Sequence, residues 1–473
     1  MEQLQREQPF ALPIKFIQFG EGNFLRAYFD WMIDLLNERT GFDAGVAVVR
    51  PRGYTVKPVL DEQGGMFTTL VQGLNEAGEA VKEFRKISCV QREINASTMF
   101  DEVLALARNP DTRYVLSNTT EAGIAVNDGD RFGDMPPSAF PAKLTRLMYE
   151  RFRHFEGDAQ RGWVLLPCEL IERNGPALKA AVLHFAQLWQ LGAEFAAWID
   201  NANTFCSTLV DRIVTGYPEA GIAEIEAELG YRDRFLVAAE YYYVLLIEGP
   251  AWLADEWRLN DAGLNIKLVE DIGPYRAAKV GILNGGHTSL VPVALLAGLE
   301  TVREAVEDEA VGNYLVRTIE QEIIPALPLP KRELEDFSAE VLRRFRNPFI
   351  RHRLEAIALN SWPKFAARVM PQLLKSFAVN GAPRLVLALA ATMVLYRGKT
   401  IALSDEPDTL QWFAHAWQDV DQGRMSLNEL AGGLLARRGL WSRDLNEIDG
   451  LRAALTRALE RIEHQGMRAA LAI

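Results

Sequence analysis

The segment IKFIQFGEGNFLRAYFDWMIDLLNE (14–38) runs a short apolar block straight into a two-glycine turn and then into a helical pattern. IKFIQF (14–19) reads as a buried β-strand. Beyond the turn, Leu25, Phe29, Met32, Ile33 and Leu36 recur at helical spacing and share one face. A strand joined to an amphipathic helix by so short a turn must send its chain back over a sheet. Further strand candidates follow in GVAVVR (45–50), YVLSNT (114–119) and WVLLPCEL (163–170), with helical patterns between them. Strands separated by helices imply a parallel sheet with crossovers, hence a doubly wound, Rossmann-like α/β domain.

From about residue 236 helical periodicity takes over, in VGNYLVRTIEQEIIPAL, SAEVLRRF, the Leu/Ala-rich stretch at 384–397 and GLRAALTRALERIEHQGMRAAL. Convincing strands are scarce there. The reading is therefore a Rossmann-like domain over residues 1–235 and a mostly α-helical domain over 236–473. A length of 473 residues agrees with two domains. No repeat or low-complexity tract interrupts either half.

Lys+Arg number 51 and Asp+Glu 63, a net charge of 51 − 63 = −12 with no long basic run, which argues against a nucleic-acid partner. LVLALAATMVLY (385–396) is too short to span a bilayer and reads as a buried core helix. MEQLQREQPF lacks the pattern of a signal peptide. Cys89, Cys168 and Cys206 lie far apart with no CxxC pair, so buried free thiols in a reducing cytoplasm are expected, without a disulfide framework or structural zinc. The oligomeric state leaves no mark in the sequence.

In FGEGNFLRA (19–27), Gly20 and Gly22 match the first two glycines of a dinucleotide fingerprint, one for a tight turn and one for backbone approach to a pyrophosphate. Leu25 stands where a third glycine is usual, so the helix is expected slightly farther from its strand. A plain strand-to-helix turn would use the same glycines. The second strand ends in Arg50, Pro51 and Arg52 rather than in the acid that holds ribose hydroxyls. By charge alone the arginines suit a 2′-phosphate, a stacked adenine, or simply solvent.

KVGILNGGHTSL (279–290) sets a lysine among apolar residues and follows it with Asn284, Gly285, Gly286 and His287. On an α-helix at about 100° per residue, Asn284 lies about 140° and His287 about 80° from Lys279, within one broad face. The glycines would each cost about 1 kcal/mol against alanine, understandable where a ligand approaches the backbone. Amine, amide and imidazole are what a metal-free hydride transfer needs: a base for the alcohol proton and neutral donors for the developing alkoxide. The bland readings are a lysine reaching to water and a satisfied core histidine.

Taken together, GEGNFLRA, SNTTEAGI (117–124), LVDRI (209–213), KVGILNGGH and RFRNP (344–348) resemble the polyol-specific long-chain dehydrogenases, the mannitol dehydrogenase family. The resemblance covers nearly the whole chain, and GxGxFxRA explains Leu25. It implies an NAD-dependent oxidoreductase without a metal. Lys279 would be the general base or proton donor, Asn284 and Asn174 the oxyanion-stabilising pair, His287 a substrate contact, Glu121 the proton exchanger with solvent and Asp211 a substrate-site aspartate. Phe19, Gly20, Gly22, Asn23, Phe24, Arg50, Asn118, Thr119 and Thr120 would line the cofactor. NAD is preferred to NADP on this resemblance, against the local hint of Arg50 and Arg52.

The chain departs from the family where polyol enzymes read C-D-N, having Cys168, Glu169 and Leu170, and it has Ala356 in place of an arginine while keeping Lys364. These changes fit a sugar other than mannitol. A sugar acid would bring a carboxylate, for which Arg346, Arg351, His352 and Lys364 are the candidate partners. A lysine Schiff-base lyase and a non-catalytic nucleotide-binding protein are the rival readings.

Overall fold

A computed structural model of the protein describes all residues except 8–11, 52, 54–58, 120–122 and 473. The chain divides into two compact units, Met1–Asn75 with Ala80–Ile272, and Glu76–Glu79 with Gly273–Ile473.

The first unit carries the strands β1 (Ile14–Phe19), β2 (Gly45–Arg50), β3 (Phe67–Leu74), β4 (Ala80–Ile87), β5 (Val90–Asn95), β6 (Tyr114–Ser117) and β7 (Val164–Pro167). After them come β8 (Thr204–Phe205), β9 (Ser207–Asp211), β10 (Val214–Gly216), β11 (Val237–Glu240), β12 (Val244–Glu248) and β13 (Ile266–Val269). Six of these form a parallel sheet in the order β5-β2-β1-β6-β7-β8. Successive side chains alternate between its faces. Phe16, Val46, Val48, Tyr114 and Leu116 join one apolar cluster, while Ile17, Phe19, Ala47, Val49 and Val115 join another. A sheet buried on both faces needs nearly continuous apolar strands, and the sequence supplies them. The strand order turns back at β1, with β2 on one side and β6 on the other. The crevice at the carboxyl ends of β1 and β6 is therefore the topological switch point, where ligands of open α/β sheets bind.

The helix after the glycine turn begins as Asn23–Leu25, passes through a π-turn at Arg26–Asp30 and continues as Trp31–Thr40. Leu25, Phe29, Met32, Ile33 and Leu36 are all buried, as their spacing predicts.

The expected domain boundary at residue 235 falls inside sheet structure. β11 pairs in parallel with β3, and β12 pairs with β9 and β13, so residues to Ile272 belong to the first unit. These strands are short and follow a helical stretch, so their pattern was submerged in its periodicity.

The second unit is helical, and no strand is named among its described residues. Its central helix, Pro383–Leu395, is the apolar run noted above, buried along nearly its whole length. Glu322 explains where that helix starts. Its fully buried carboxylate accepts the Arg384 (3.0 Å) and Leu385 (2.8 Å) backbone N–H groups and the Arg384 guanidinium (3.2 Å). An acid on the first N–H groups satisfies donors that have no intrahelical partner and complements the positive helix end. All three cysteines are free and buried. No helix among the described residues is long and apolar enough to cross a membrane.

Removing one member of a buried pair strands the other. Glu322→Ala should therefore cost about 3 kcal/mol or more, seen as a lower urea midpoint with an unchanged slope; an unmoved midpoint would contradict the capping role.

Candidate functional site

In the first unit the loops leaving β1, β2 and β6 are stitched together at the switch point. Gly20 N–H donates to Val49 O at 3.0 Å, and Asn118 N–H donates to Phe19 O at 3.1 Å. Gly20 has φ +124°, and a Cβ there would sit 3.1 Å from Asn118 O, so both conformation and space require glycine. Gly22 faces open space, with nothing within 4 Å of a Cβ built on it. The helix beginning at Asn23 has no side-chain cap, which leaves its first N–H groups without an intrahelical partner. Open backbone, uncapped donors and a positive helix end fit a pyrophosphate.

The side chains expected around that cofactor divide by what they touch. The Phe19 ring is buried against Phe140, with centroids 5.0 Å apart, so only its main chain borders the crevice. Asn23 Oδ1 accepts from Arg26 Nη2 at 2.6 Å, and its Nδ2 lies 2.8 Å from where Gly216 would carry a Cβ. Phe24 is half-buried and stacks on Tyr28 at 4.8 Å. Asn118 is half-buried at the rim of the crevice. Arg50 binds the Glu93 carboxylate through Nη2 at 2.6 Å and Nε at 3.0 Å, with Glu21 at 3.8 Å. That carboxylate compensates the cation that would otherwise suit a 2′-phosphate. Arg52, Thr120 and Glu121 lie outside the described residues.

The Asn174 side chain is surrounded by main-chain groups. Its Nδ2 donates toward Pro167 O (2.9 Å), Glu169 O (3.2 Å) and Thr208 O (3.2 Å), and its Oδ1 accepts from Thr208 N–H (3.0 Å). With its amide hydrogens on backbone carbonyls, Asn174 clamps the ends of β7 and β9. Glu169, which the sequence marked only as a departure, is buried and accepts from Ser117 Oγ, Thr119 N–H and Thr119 Oγ1, each at 3.0 Å. Burial raises its pKa, and these hydrogen bonds oppose the rise. Thr119 is thus held by protein rather than left open. Asp211 ends β9 in a buried position.

In the second unit the 279–287 segment departs from the expected α-helix. Lys279–Gly285 is a π-helical turn that passes into the α-helix Gly286–Leu296. In a π-turn residues five apart are joined by the i→i+5 repeat. Lys279 and Asn284 therefore stack on one side instead of lying about 140° apart. Both side chains are half-buried. The Asn284 amide makes no side-chain hydrogen bond among the described residues; only its main-chain oxygen is used, by Thr288 Oγ1 at 2.8 Å.

The glycine pair answers to packing. A Cβ at Gly285 would lie 3.0 Å from the Arg368 carbonyl and 3.3 Å from that of Val280. At Gly286 it would meet Ile319 at an ordinary 3.6 Å. Gly285 thus admits a neighbouring helix, Ser361–Arg368, rather than a ligand.

His287 stacks on Phe345 with centroids 4.0 Å apart, and His352 stands edge-on to it at 5.2 Å. Although the residue as a whole is half-buried, its Nε2 is shielded from solvent and has no hydrogen-bond partner among the described residues. Burial, then the nearby His352, Arg344 and Arg368, push the His287 pKa well below its ordinary value. Burial lowers that of His352 too. Both rings are neutral at pH 7. A shielded, unpartnered ring nitrogen is costly unless a ligand supplies its partner.

Of the other basic candidates, Arg346 is exposed at its helix end and Arg351 pairs at the surface with Glu300 at 3.7 Å. Lys364 Nζ donates to Ile357 O at 3.0 Å and to Leu359 O. Sequence reasoning missed Arg344, Phe345 and Arg368, which cluster around His287. Helical phase could have found the first two, because a helix ending at Phe345 turns Arg344 inward and leaves Arg346 outside. Among the described residues no group of three or more His, Cys, Asp or Glu side chains is placed to hold a metal.

Two family models match the chain: the mannitol dehydrogenase Rossmann domain over residues 14–261 and the mannitol dehydrogenase C-terminal domain over 271–463. The altronate oxidoreductase of Pectobacterium atrosepticum is 51% identical over 470 residues, covering 97% of this chain and 96% of that protein. That of Yersinia enterocolitica is 52% identical over 466 residues, with the same coverage of 97% and 96%. Among solved structures, a Pseudomonas fluorescens mannitol 2-dehydrogenase ternary complex with NAD and D-mannitol aligns with a TM-score of 0.67 at 21% identity, covering 98% of this chain and 95% of that one. A substrate-free D-sorbitol dehydrogenase aligns with a TM-score of 0.79 at 20% identity, covering 98% and 96%.

The folded pKa of His287 is depressed, so as pH falls the unfolded chain takes up its proton first. The stability the neutral ring contributes is intact above the unfolded value of about 6.5 and is lost as pH drops below it. In a histidine-labelled NMR titration its resonance should show no protonation step between pH 8 and 6; a step centred near 6.5 would contradict the shielded ring.

Proposed function

The chain belongs to the mannitol dehydrogenase family, and from that premise we propose that it is an NAD-dependent oxidoreductase interconverting D-altronate and D-tagaturonate, a cytoplasmic step of galacturonate breakdown. The observation that carries this reading is the identity of 51–52% over almost the entire length of altronate oxidoreductases. The geometry supports its chemistry. NAD, when bound, would accept the carbon-bound hydrogen of the alcohol as hydride, and NADH would return it to the ketone.

The residues of the chain handle the rest. The open backbone at Gly22 and the uncapped N–H groups beyond it would hold the pyrophosphate. Arg50, neutralised by Glu93, offers no spare charge for a 2′-phosphate, which favours NAD. Lys279 takes the hydroxyl proton in oxidation and returns it to the oxygen in reduction. Asn284, stacked with it on the π-turn and with its amide uncommitted, donates to the oxygen as charge develops. His287 donates or accepts through Nε2 to a substrate hydroxyl. In this reading Asn284 carries the oxyanion role, while Asn174 holds the strand ends in place. Glu121 keeps the role that the family resemblance implies, proton exchange with solvent.

Turnover is best assayed by NADH absorbance over a panel of ketouronates and ketoses. Tagaturonate should be reduced fastest; a clear preference for fructuronate or fructose would move the assignment to a sister activity, and a strong NADPH preference would overturn the cofactor. Lys279→Met should lower kcat by about 10²–10⁴-fold, the usual worth of general acid–base catalysis, with NADH affinity retained. Substrate trapped covalently on Lys279 by borohydride would support a Schiff-base lyase instead.

A further inference from the structure

A half-buried arginine normally has a carboxylate or several carbonyls around its guanidinium, because its desolvation is otherwise uncompensated. In the second unit Arg343, Arg384 and Arg397 obey this rule. Arg343 pairs with Glu340, Arg384 with Glu322, and Arg397 with Asp421 and Glu463. Arg368 does not: it is half-buried, and its guanidinium makes no hydrogen bond or ion pair among the described residues. Burial alone pulls its pKa down, with no acid opposing the shift.

Its position is fixed by the missing side chain at Gly285, which brings the Arg368 main chain against the turn carrying Lys279 and Asn284. Arg368 acts electrostatically on both the His287 ring and the Lys364 amine, so its charge lies toward the same cluster. The charged and titratable groups there are Arg344, Lys364, His287 and His352, with Glu340 acting on Arg344 and Asp405 on Lys364. Positive charge predominates, in a chain whose net charge is −12. Lys364 already donates to Ile357 O and Leu359 O, which leaves Arg368 as the planar two-pronged donor.

We propose that Arg368 recognises the substrate's carboxylate, pairing with it in a bidentate manner, and so selects sugar acids over neutral polyols. This rests on the reading of the substrate as a sugar acid. No covalent step is involved: Arg368 binds and orients, while Lys279 handles the proton.

The test compares wild type with Arg368→Gln and Arg368→Lys on D-altronate and on D-altritol, in which a hydroxymethyl group replaces the carboxylate. Arg368→Gln should lower kcat/KM for altronate by about 100-fold or more, mainly through KM, in line with truncating one partner of a buried, hydrogen-bonded charge pair. Its rate on altritol should stay within about threefold of wild type, so the preference ratio collapses, and its melting temperature should not move. Arg368→Lys should recover part of the loss, because it restores the charge but not the planar fork. Altronate kinetics within threefold of wild type would overturn the proposal, as would equal losses on both substrates. If wild type ignores altronate but reduces another ketouronate, the substrate assignment fails, and the same loss measured on that acid still supports Arg368. Wild-type activity confined to neutral polyols overturns both readings.

Discussion

The second unit's chemistry depends on how closely the Arg368 carbonyl approaches position 285. Any side chain there would place its first carbon 3.0 Å from that oxygen, tighter than a packed protein interior tolerates without movement. With glycine the helix Ser361–Arg368 closes onto the π-turn. The turn in turn brings Lys279 and Asn284 one above the other. A regular α-helix would have splayed amine and amide around its circumference. One absent methyl group thus underlies the close approach of the Arg368 main chain to the turn that carries Lys279 and Asn284.

The first unit solves a different problem with buried polar groups. At the carboxyl edge of its sheet, Glu169 gathers Ser117 and Thr119 while Asn174 gathers the main chain of Pro167, Glu169 and Thr208. Each hydrogen bond is modest in net terms, but leaving any of these groups unpaired would cost more than the bond contributes. The network therefore specifies one arrangement of the strand ends. Beside that network, Gly22 keeps an open backbone face.

Much of this is legible in the amino-acid order, for identifiable reasons. Parallel strands buried on both faces announce themselves as apolar runs, and the helix after Gly22 keeps its inward residues at strict helical spacing. The glycine turn and the Lys279–His287 string draw notice because their residue types are expensive in ordinary packing. Other features were not. The strands from Val237 to Val269 pair with partners far away in sequence, a tertiary fact that local periodicity does not carry. The π-turn turned an angular estimate made for an α-helix into the wrong geometry. That the Asn174 amide joins two strand ends is likewise invisible in its residue type. Arg368 stayed hidden because a lone arginine looks the same whether or not an acid faces it.

The central claim is a direct hydride transfer from a carbinol carbon, with the hydroxyl proton going to Lys279. Oxidation of D-altronate carrying deuterium on the carbon that becomes the ketone tests it most directly, with the isolated NADH examined by mass. Retention of one deuterium in each NADH formed is the result this account predicts. NADH free of label, with the deuterium washed into solvent, would contradict it and point to carbanion or Schiff-base chemistry at Lys279.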